Sequence, residues 1–437
     1  MNNQPSNLDQ RNPVSRRRVL KEIAAVPFVA AAANWLPISS AQAKVQAPNK
    51  YDAIVVGAGA IGCSTAWHLA KRGQKVLVLE AHSDAAMQST NGAGGFVASW
   101  SQIHIAAWQK TEWEMQRYGI EFYTRLAGRS RADLGFSPSG IAYVYASPKD
   151  LRKGLERVRA GRKLGTTIEV LSKERSEEIA PFLQFDQVAG IAFDPDAVRV
   201  RAGDAIRALA HELAGGGVKF EFDTQVSGFL REGDKIAGVR AWDQNFYSER
   251  VFVTAGAWSR PLLGTLGAAC PSTPFNETRY VTKPLEGLPP GMLLLIFADR
   301  HGHYIREERG GLLIGGGDKR PLPADRAVSA DSPPWCDKLP DGQAYRIREF
   351  IREIERIMPV LKNAEVDQIR SGIPTLTTGN VFIAGPVPEV QGMFVASGCQ
   401  EAGVTHGPAL GRILCEHAMD GKTVWDTTRF LPQSFTS

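Results

Sequence analysis

The chain has 437 residues, which is too long for a single compact core and fits a globular protein of two domains. Its composition, with 43% apolar and 22% charged residues, is that of a folded enzyme and excludes a disordered or fibrous chain. The net charge of the whole chain is +5. Residues 44–437 contain 46 basic and 44 acidic residues. This nearly neutral balance gives no reason to expect nucleic-acid binding. The five cysteines are an odd number without Cys-x-x-Cys or metal-ligand spacing, so we predict neither a disulfide framework nor a metal site.

Residues 1–43 predict an export signal. A basic segment, Ser15–Lys21, precedes an apolar run, Ile23–Leu36, and the segment ends at Ala41-Gln42-Ala43. A charged start, a short apolar middle and a small-x-small cleavage site form the order of a signal peptide. The run of about 14 residues is shorter than the ~20 that span a bilayer. Its paired arginines resemble the twin-arginine signal, which implies export of the folded protein to the periplasm by the twin-arginine machinery. A retained leader that associates with the membrane is the alternative.

A βαβ unit follows the leader. Tyr51–Val56 is typical of a buried strand, and residues 57–62 form Gly-x-Gly-x-x-Gly. A helix is predicted from about Cys63 to Lys71, and a second strand, Lys75–Leu79, ends at Glu80. Strand, glycine turn, helix, strand and acid in this order predict a dinucleotide site.

Each part of this unit has a mechanical reason. Gly57 permits the tight turn, Gly59 lets the backbone approach a pyrophosphate, and Gly62 lets the helix pack on the strand. The N–H groups and the dipole at the start of the helix would bind the phosphates. Glu80 can accept hydrogen bonds from ribose hydroxyls. An acid at this place argues against NADP, but the motif alone does not separate NAD from FAD.

Four further segments distinguish FAD from NAD as the expected cofactor. They are Gln88–Phe96, Val251–Ser259, Gly379–Gly385 and Gly392–Gly398. The last segment is followed by Gly403–Gly411, which opens a predicted helix that ends at about Met419. In this order they resemble the D-amino acid oxidase (DAO) family of FAD-dependent oxidoreductases, over roughly residues 50–430. The resemblance implies FAD as the cofactor and opposes a nicotinamide-dependent dehydrogenase, which would be a colourless protein.

The resemblance implies an α/β fold with two domains. A Rossmann-like FAD-binding domain, with a parallel sheet and the βαβ unit at its start, would comprise residues 50–135, 190–270 and 362–430. A second, α+β substrate domain built on an antiparallel sheet would comprise residues 136–189 and 271–361. Within or beside it we predict strands at Ile141–Ala146, Met292–Phe297 and Gly311–Ile314, a surface loop at Pro321–Pro340 and a helix at Tyr345–Ile357.

The resemblance also implies the residues that contact FAD. They are Gly57, Gly59, Ala60, Ile61, Gly62, Glu80, Ala81, Ser89, Thr90, Gly94, Gly95, Phe96, Val226, Ala255, Gly256, Gly398, Cys399, Ala402, Gly403 and Val404. The helix that begins near Gly403 would bring positive potential to the flavin ring and favour the anionic reduced form. The cysteine that links flavin covalently in sarcosine oxidases is missing here, so we expect FAD to be non-covalent.

In this family a substrate amine, bound neutral, gives its α-hydrogen to flavin as hydride, and water hydrolyses the resulting imine. Relatives that oxidise amino acids often carry Gly-Leu-Arg-Pro, whose arginine clamps the substrate carboxylate. This chain has Ser371-Gly372-Ile373-Pro374-Thr375 there, and Arg370 is out of register. A nearby position that is basic in glycine oxidase is Glu401 here.

Two interpretations of the substrate follow. A carboxylate could be bound by Arg279 or by Arg306 in Tyr304-Ile305-Arg306, which would keep the amino-acid class. Otherwise the substrate is an amine without an α-carboxylate, and Glu401 attracts a cation. The electron acceptor is oxygen or a membrane carrier. A different class, an FAD-binding periplasmic maturation or assembly protein without amine turnover, is the alternative function.

Overall fold

A computed structural model describes residues 49–87, 89, 94–97, 109–242, 244–289, 291–298, 302–316, 320–321 and 344–435. The expected leader, Thr90 and nearly all of the expected loop at Pro321–Pro340 lie outside the described residues. The described residues belong to one compact unit, so the division into two domains with the boundaries given above stays a prediction.

The strands are numbered in chain order: β1 (Ala53–Val56), β2 (Val76–Leu79), β3 (Phe96–Val97), β4 (Ile141–Tyr145), β5 (Glu169–Val170), β6 (Gly190–Asp194), β7 (Val198–Arg199), β8 (Lys219–Glu221), β9 (Val226–Glu232), β10 (Lys235–Ala241), β11 (Gln244–Tyr247), β12 (Val251–Val253), β13 (Thr273–Thr282), β14 (Leu294–Phe297), β15 (Tyr304–Glu308), β16 (Gly311–Gly315), β17 (Arg320–Pro321), β18 (Val366–Gly372), β19 (Thr375–Leu376), β20 (Ile383–Pro386) and β21 (Met393–Ser397).

The α-helices of the described residues are α1 (Ala60–Lys71), α2 (Lys110–Arg129), α3 (Pro148–Lys163), α4 (Lys173–Ile179), α5 (Ala202–Gly215), α6 (Ser259–Gly264), α7 (Ala344–Ile354) and α8 (Gly403–Asp420). None of them is both long and apolar enough to span a bilayer.

A six-stranded sheet has the order β20-β21-β12-β1-β2-β8. Its neighbours pair in parallel, apart from β20, which runs antiparallel to β21. Every residue of β1, β2 and β12 is buried, since helices or a second sheet cover both faces. The unbroken apolar runs of these strands follow from that double coverage.

A larger sheet of ten strands has the order β17-β13-β16-β15-β14-β4-β6-β5, with β18 and β19 also paired to β13. Its pairs are antiparallel, apart from the parallel pair of β14 with β4. The predicted fold class, a Rossmann-like parallel sheet with a second unit on an antiparallel sheet, is therefore confirmed. Each sheet carries one pair of the opposite direction, which the sequence patterns did not indicate.

Several predicted boundaries are wrong by a few residues. Helix α1 begins at Ala60 rather than Cys63, because the chain turns helical directly after Gly59. Pro321 belongs to the short strand β17 and not to a loop. Helix α7 ends at Ile354, before the predicted Ile357.

Helices α1 and α8 cross at close range over the six-stranded sheet. A Cβ atom on Gly411 would lie 2.5 Å from the Thr65 nitrogen, and one on Gly407 would lie 3.3 Å from the Ala60 Cβ. Glycines one turn apart on α8 therefore let the two backbones approach each other. This contact sets the start of α8 beside the start of α1, which is where the site lies.

Candidate functional site

An open cavity, whose empty space including the part open to solvent is about 1330 Å³, lies at the carboxyl ends of β1, β2 and β12. This is the edge at which ligands bind in parallel α/β sheets. The predicted residues that line it are Gly57, Gly59, Ala60, Ile61, Glu80, Ala81, Ser89, Val226, Ala255, Gly256, Cys399, Glu401, Gly403 and Val404. Residues from six separate stretches of chain thus meet at one cavity, although their roles in binding remain predictions.

Other predicted residues do not line this cavity. Of the expected cofactor contacts, these are Gly62, Gly94, Gly95, Gly398 and Ala402, and of the expected substrate residues, Arg279, Tyr304, Arg306 and Arg370. Phe96 lies in β3, but its side chain is outside what the structure describes. Residues that sequence reasoning missed include Thr224, Gln225, Thr254, Trp258 and Thr375. Thr254 and Trp258 stand in a motif that had been recognised, so their place in the wall could have been predicted.

The glycine turn after β1 has no room for side chains. Gly57 has φ +100°, and a Cβ atom on it would lie 2.8 Å from the Thr254 carbonyl oxygen. A Cβ atom on Gly62 would lie 1.8 Å from the Gly57 carbonyl oxygen. The N-cap of α1 is Gly59, which has no side chain to occupy the amides of the first turn. This end of α1 therefore fits an anionic group such as a pyrophosphate.

Glu80 lies at the end of β2 on the same wall. One carboxylate oxygen accepts a hydrogen bond from the Ala58 N–H at 2.7 Å, and the other accepts one from the His82 N–H at 3.0 Å. Burial raises the pKa of Glu80, and these backbone N–H groups oppose the rise. Each carboxylate oxygen can accept a further hydrogen bond, so Glu80 fits the hydroxyls of a ribose.

The opposite wall contains the loop before α8. Gly398, Gln400 and Glu401 have φ values of +62°, +50° and +65°. Such values are costly for residues with side chains and persist where the surroundings enforce them. Thr375 provides that enforcement, because its backbone oxygen accepts from Gln400 N at 3.0 Å and its Oγ1 accepts from Gly398 N at 3.1 Å.

The Gln400 side chain completes this framework. Its Nε2 donates to Thr377 Oγ1 at 2.9 Å and to the Gly398 oxygen at 3.0 Å. The loop is thereby held in place, and Glu401 lies on the cavity wall.

The start of α8 is supported from α2. Pro408 lies inside the helix and has no N–H, so it cannot bond the carbonyl of Val404 one turn earlier. The Tyr123 hydroxyl donates to that carbonyl at 3.0 Å instead. His406 is fully buried beside Phe382, and burial lowers its pKa to about 4.

A buried charged cluster lies on one face of the larger sheet, on β13 and β15. Arg279 is 3% exposed, forms an ion pair with Glu277 and lies 5.6 Å from the centre of the Tyr304 ring. Gly315 makes space for it, since a Cβ atom there would lie 2.6 Å from Arg279 Cδ. We call Glu277, Arg279 and Tyr304 the sheet cluster.

The sheet cluster is coupled electrostatically to the cavity wall. Burial by itself lowers the pKa of Arg279, but Glu277 first, and Glu401 to a lesser degree, raise it above the ordinary arginine value. Burial raises the pKa of Tyr304 to about 12, against the opposing effect of Arg279. Arg279 and Tyr304 are therefore charged and neutral, respectively, at physiological pH.

Arg306 has a different set of partners. Its Nε donates to the Gly94 carbonyl oxygen at 2.5 Å, and its Nη1 donates to a Glu308 carboxylate oxygen at 2.5 Å. Glu308 also accepts from Arg370 at 3.3 Å, and Arg370 donates to Gln368 as well. The observed bonds of Arg306 and Arg370 thus go to protein groups, and Arg306 ties the larger sheet to the segment at Gly94.

The profile of the DAO family, described as FAD dependent oxidoreductase, matches residues 52–417. The chain belongs to the DAO family. This DAO-family protein is therefore an FAD-dependent oxidoreductase, and the predicted cofactor and family are confirmed.

Among its relatives is 4-methylaminobutanoate oxidase (formaldehyde-forming) of Paenarthrobacter nicotinovorans, which is 27% identical over 392 residues. The alignment covers 89% of this chain and 46% of that protein, so the chain spans about half of its length. Two solved structures share the fold, each at 22% identity. The superposition on L-proline dehydrogenase from P. horikoshii has a TM-score of 0.77 and covers 89% of this chain and 98% of the dehydrogenase chain. The superposition on glycine oxidase from Geobacillus kaustophilus has a TM-score of 0.74 and covers 88% of this chain and 98% of the oxidase chain.

Proposed function

We propose that this DAO-family enzyme oxidises a C–N bond of an amine or amino acid. The carbon next to nitrogen loses a hydride, the C–H bond breaks, and the nitrogen lone pair forms the C=N bond of an imine. Water then hydrolyses the imine to a carbonyl compound and an amine. The observation that carries the proposal is one continuous cavity, lined at one end by Gly59 and Glu80 and at the other by Thr375 and Glu401.

The residues of the cavity fit FAD. The start of α1 would hold the pyrophosphate, Glu80 would accept from the ribose, and the segment from Cys399 to Val404 would lie beside the flavin ring. FAD supplies the hydride acceptor when bound. Burial raises the pKa of the Cys399 thiol, which disfavours the nucleophilic thiolate and supports a non-covalent cofactor.

The protein contributes position and enclosure rather than a strong base. Thr375 and Gln400 hold the backbone that carries Glu401, so the side chains at this wall are preorganised before substrate binds. The names of the relatives support the substrate class, since they describe a methylaminobutanoate oxidase, a glycine oxidase and a proline dehydrogenase. Each acts on a carbon bonded to nitrogen.

We also propose that the protein is exported to the periplasm by the twin-arginine machinery and passes its electrons to oxygen or a membrane carrier. The basic segment, the short apolar run and Ala41-Gln42-Ala43 support export. Replacement of Arg16, Arg17 and Arg18 by lysine should keep the protein in the cytoplasm, as measured by cell fractionation and immunoblotting. Unchanged export of that variant would contradict the twin-arginine route.

The proposed reaction is tested by anaerobic absorbance spectra of the FAD-loaded full-length chain. Amines and amino acids, including 4-methylaminobutanoate, glycine and L-proline, are added one at a time. Bleaching of the flavin band by one class of amine is the expected result, and a substrate-dependent carbonyl product should appear in equal amount. A yellow protein that no amine bleaches would contradict the proposal and favour the maturation or assembly function.

A further inference from the structure

The charges on the cavity wall have one sign. Among the described lining residues, Glu80 and Glu401 are carboxylic acids, and none is a lysine or an arginine. Glu80 belongs to the nucleotide end, where its two oxygens accept from backbone N–H groups. Glu401 is therefore the described acidic group at the end where a substrate would meet the flavin.

Arg279 and Arg306 bond other protein groups and do not line the cavity. Arg279 is ion-paired with Glu277, and Arg306 bonds Gly94 and Glu308. Glu401 is partly buried on this wall. A carboxylate in such surroundings attracts a cationic group more strongly than a carboxylate in bulk water does, because the local dielectric constant is lower.

The backbone conformation at Glu401 is enforced by its surroundings. A side chain at φ +65° is placed by the hydrogen bonds of Thr375 and Gln400 and not by local preference. Residues in such conformations cluster at functional sites. The neighbouring Gln400 has φ +50°, so glutamine tolerates a similar backbone conformation.

We propose that Glu401 binds the cationic nitrogen of the substrate, and that the substrates are amines without a carboxylate on the reacting carbon. The inference rests on the proposed function. The ammonium group enters as a cation and gives one proton to the Glu401 carboxylate. The N–H bond breaks, the O–H bond forms, and the neutral amine that remains has the lone pair needed for hydride loss.

Two small probes that the enzyme cannot oxidise test this inference by binding alone. Tetramethylammonium carries a cationic nitrogen without a lone pair, and acetate carries a carboxylate without nitrogen. Each is titrated into FAD-loaded full-length protein, and the dissociation constant is read from the flavin difference spectrum and from the thermal shift. We expect tetramethylammonium to bind saturably and acetate to have no effect.

Variants then assign the binding to Glu401. Glu401→Gln keeps the shape and should raise the dissociation constant of tetramethylammonium at least tenfold at unchanged FAD content. Glu401→Arg should reverse the preference, so that acetate binds and tetramethylammonium does not. The matched control is Glu389→Gln, a change at an exposed carboxylate away from the cavity wall, which should leave both constants unchanged.

The outcomes separate the inference from the function on which it rests. Acetate binding to the unmodified protein, or unchanged tetramethylammonium binding by Glu401→Gln, would overturn the inference, while bleaching by α-amino acids would leave the proposed function standing. A protein with bound FAD that responds to neither probe and is bleached by no amine would overturn both.

Discussion

The two ends of the cavity are built in different ways. At the nucleotide end, the glycine turn, α1 and Glu80 come from one short βαβ unit, and Glu80 bonds the nearby backbone of Ala58 and His82. At the substrate end, Thr375 holds the loop of Glu401, Tyr123 supports α8, and Arg306 reaches Gly94. The first end depends on the backbone geometry of one unit, whereas the second depends on hydrogen bonds between residues that are far apart in sequence.

This difference predicts how each end responds to substitution. A site formed by closely packed backbone should lose its geometry when a substitution adds a single Cβ atom, because no side chain can move to make space. A site built from remote pairs fails when one partner is removed, because the other remains buried without compensation. Four substitutions examine the comparison, from the largest expected effect to the smallest.

Gly62→Ala should damage the nucleotide end most. The added Cβ would lie 1.8 Å from the Gly57 oxygen and 2.8 Å from Thr254 Oγ1, so the turn must open. We expect a loss of about 3 kcal/mol or more in the free energy of unfolding and the loss of most bound FAD, measured by urea unfolding and by FAD released on heating. Gly215→Ala, at the end of α5 with open space around it, is the control and should retain FAD. Full FAD content in Gly62→Ala would show that the turn is not tight.

Arg306→Met should damage the substrate end. It removes the donor to Gly94 and leaves the buried Glu308 with Arg370 as its remaining observed ion-pair partner. Breaking a buried pair costs about 3 kcal/mol, and the freed Gly94 segment should weaken FAD binding, measured by flavin fluorescence. Arg309→Met removes an exposed ion pair with Asp204 and should change little. If Arg306 instead clamps a substrate carboxylate, its loss will alter substrate binding but not FAD affinity or stability.

His406 should make the substrate end sensitive to acid. Burial lowers the pKa of His406 from 6.5 to about 4. Between these two pH values the imidazole is protonated in the unfolded chain and neutral in the folded protein. The free energy of unfolding therefore has its full value above pH 6.5 and decreases as the pH falls toward 4, by about 2 kcal/mol between pH 7 and pH 5. Urea unfolding at both values should show a smaller loss for His406→Gln. The exposed His211→Gln should behave as the unmodified protein does, and equal losses in all three would contradict the assignment.

Tyr123→Phe should have the smallest effect. It removes the hydroxyl that satisfies the Val404 carbonyl, which Pro408 leaves without an intrahelical donor. One buried hydrogen bond contributes about 1 kcal/mol, so a modest fall in the urea midpoint is expected. Tyr247→Phe, at an exposed tyrosine in β11, is the control. A fall no larger than that of the control would mean that another donor reaches Val404.

The sequence predicted the nucleotide end in detail. Strand, turn, helix, strand and Glu80 all lie where the motif placed them, apart from the start of α1. This agreement has a local cause, because the positions of those residues are set by the backbone of their own βαβ unit. Conformation at such a site follows from residue type and spacing.

The substrate end was predicted only as a list of candidates. Arg279, Arg306 and Arg370 look equivalent in the sequence, yet they bond Glu277, Gly94 with Glu308, and Gln368 with Glu308, respectively. Glu277, Gln368 and the Glu308 partner of Arg306 lie two residues away on the same strand, whereas Gly94 for Arg306 and Glu308 for Arg370 lie on other segments. Periodicity gives the face of a strand but not the strand that will lie beside it.

The sequence by itself thus determined the family, the cofactor and the glycine turn after β1, because those properties are encoded in short motifs with their own backbone geometry. The tertiary structure decided that Glu401 lies on the cavity wall and that Arg279 and Arg306 do not. That choice rests on strand register and on the left-handed loop held by Thr375 and Gln400. Both arise only when distant segments of the chain pack together.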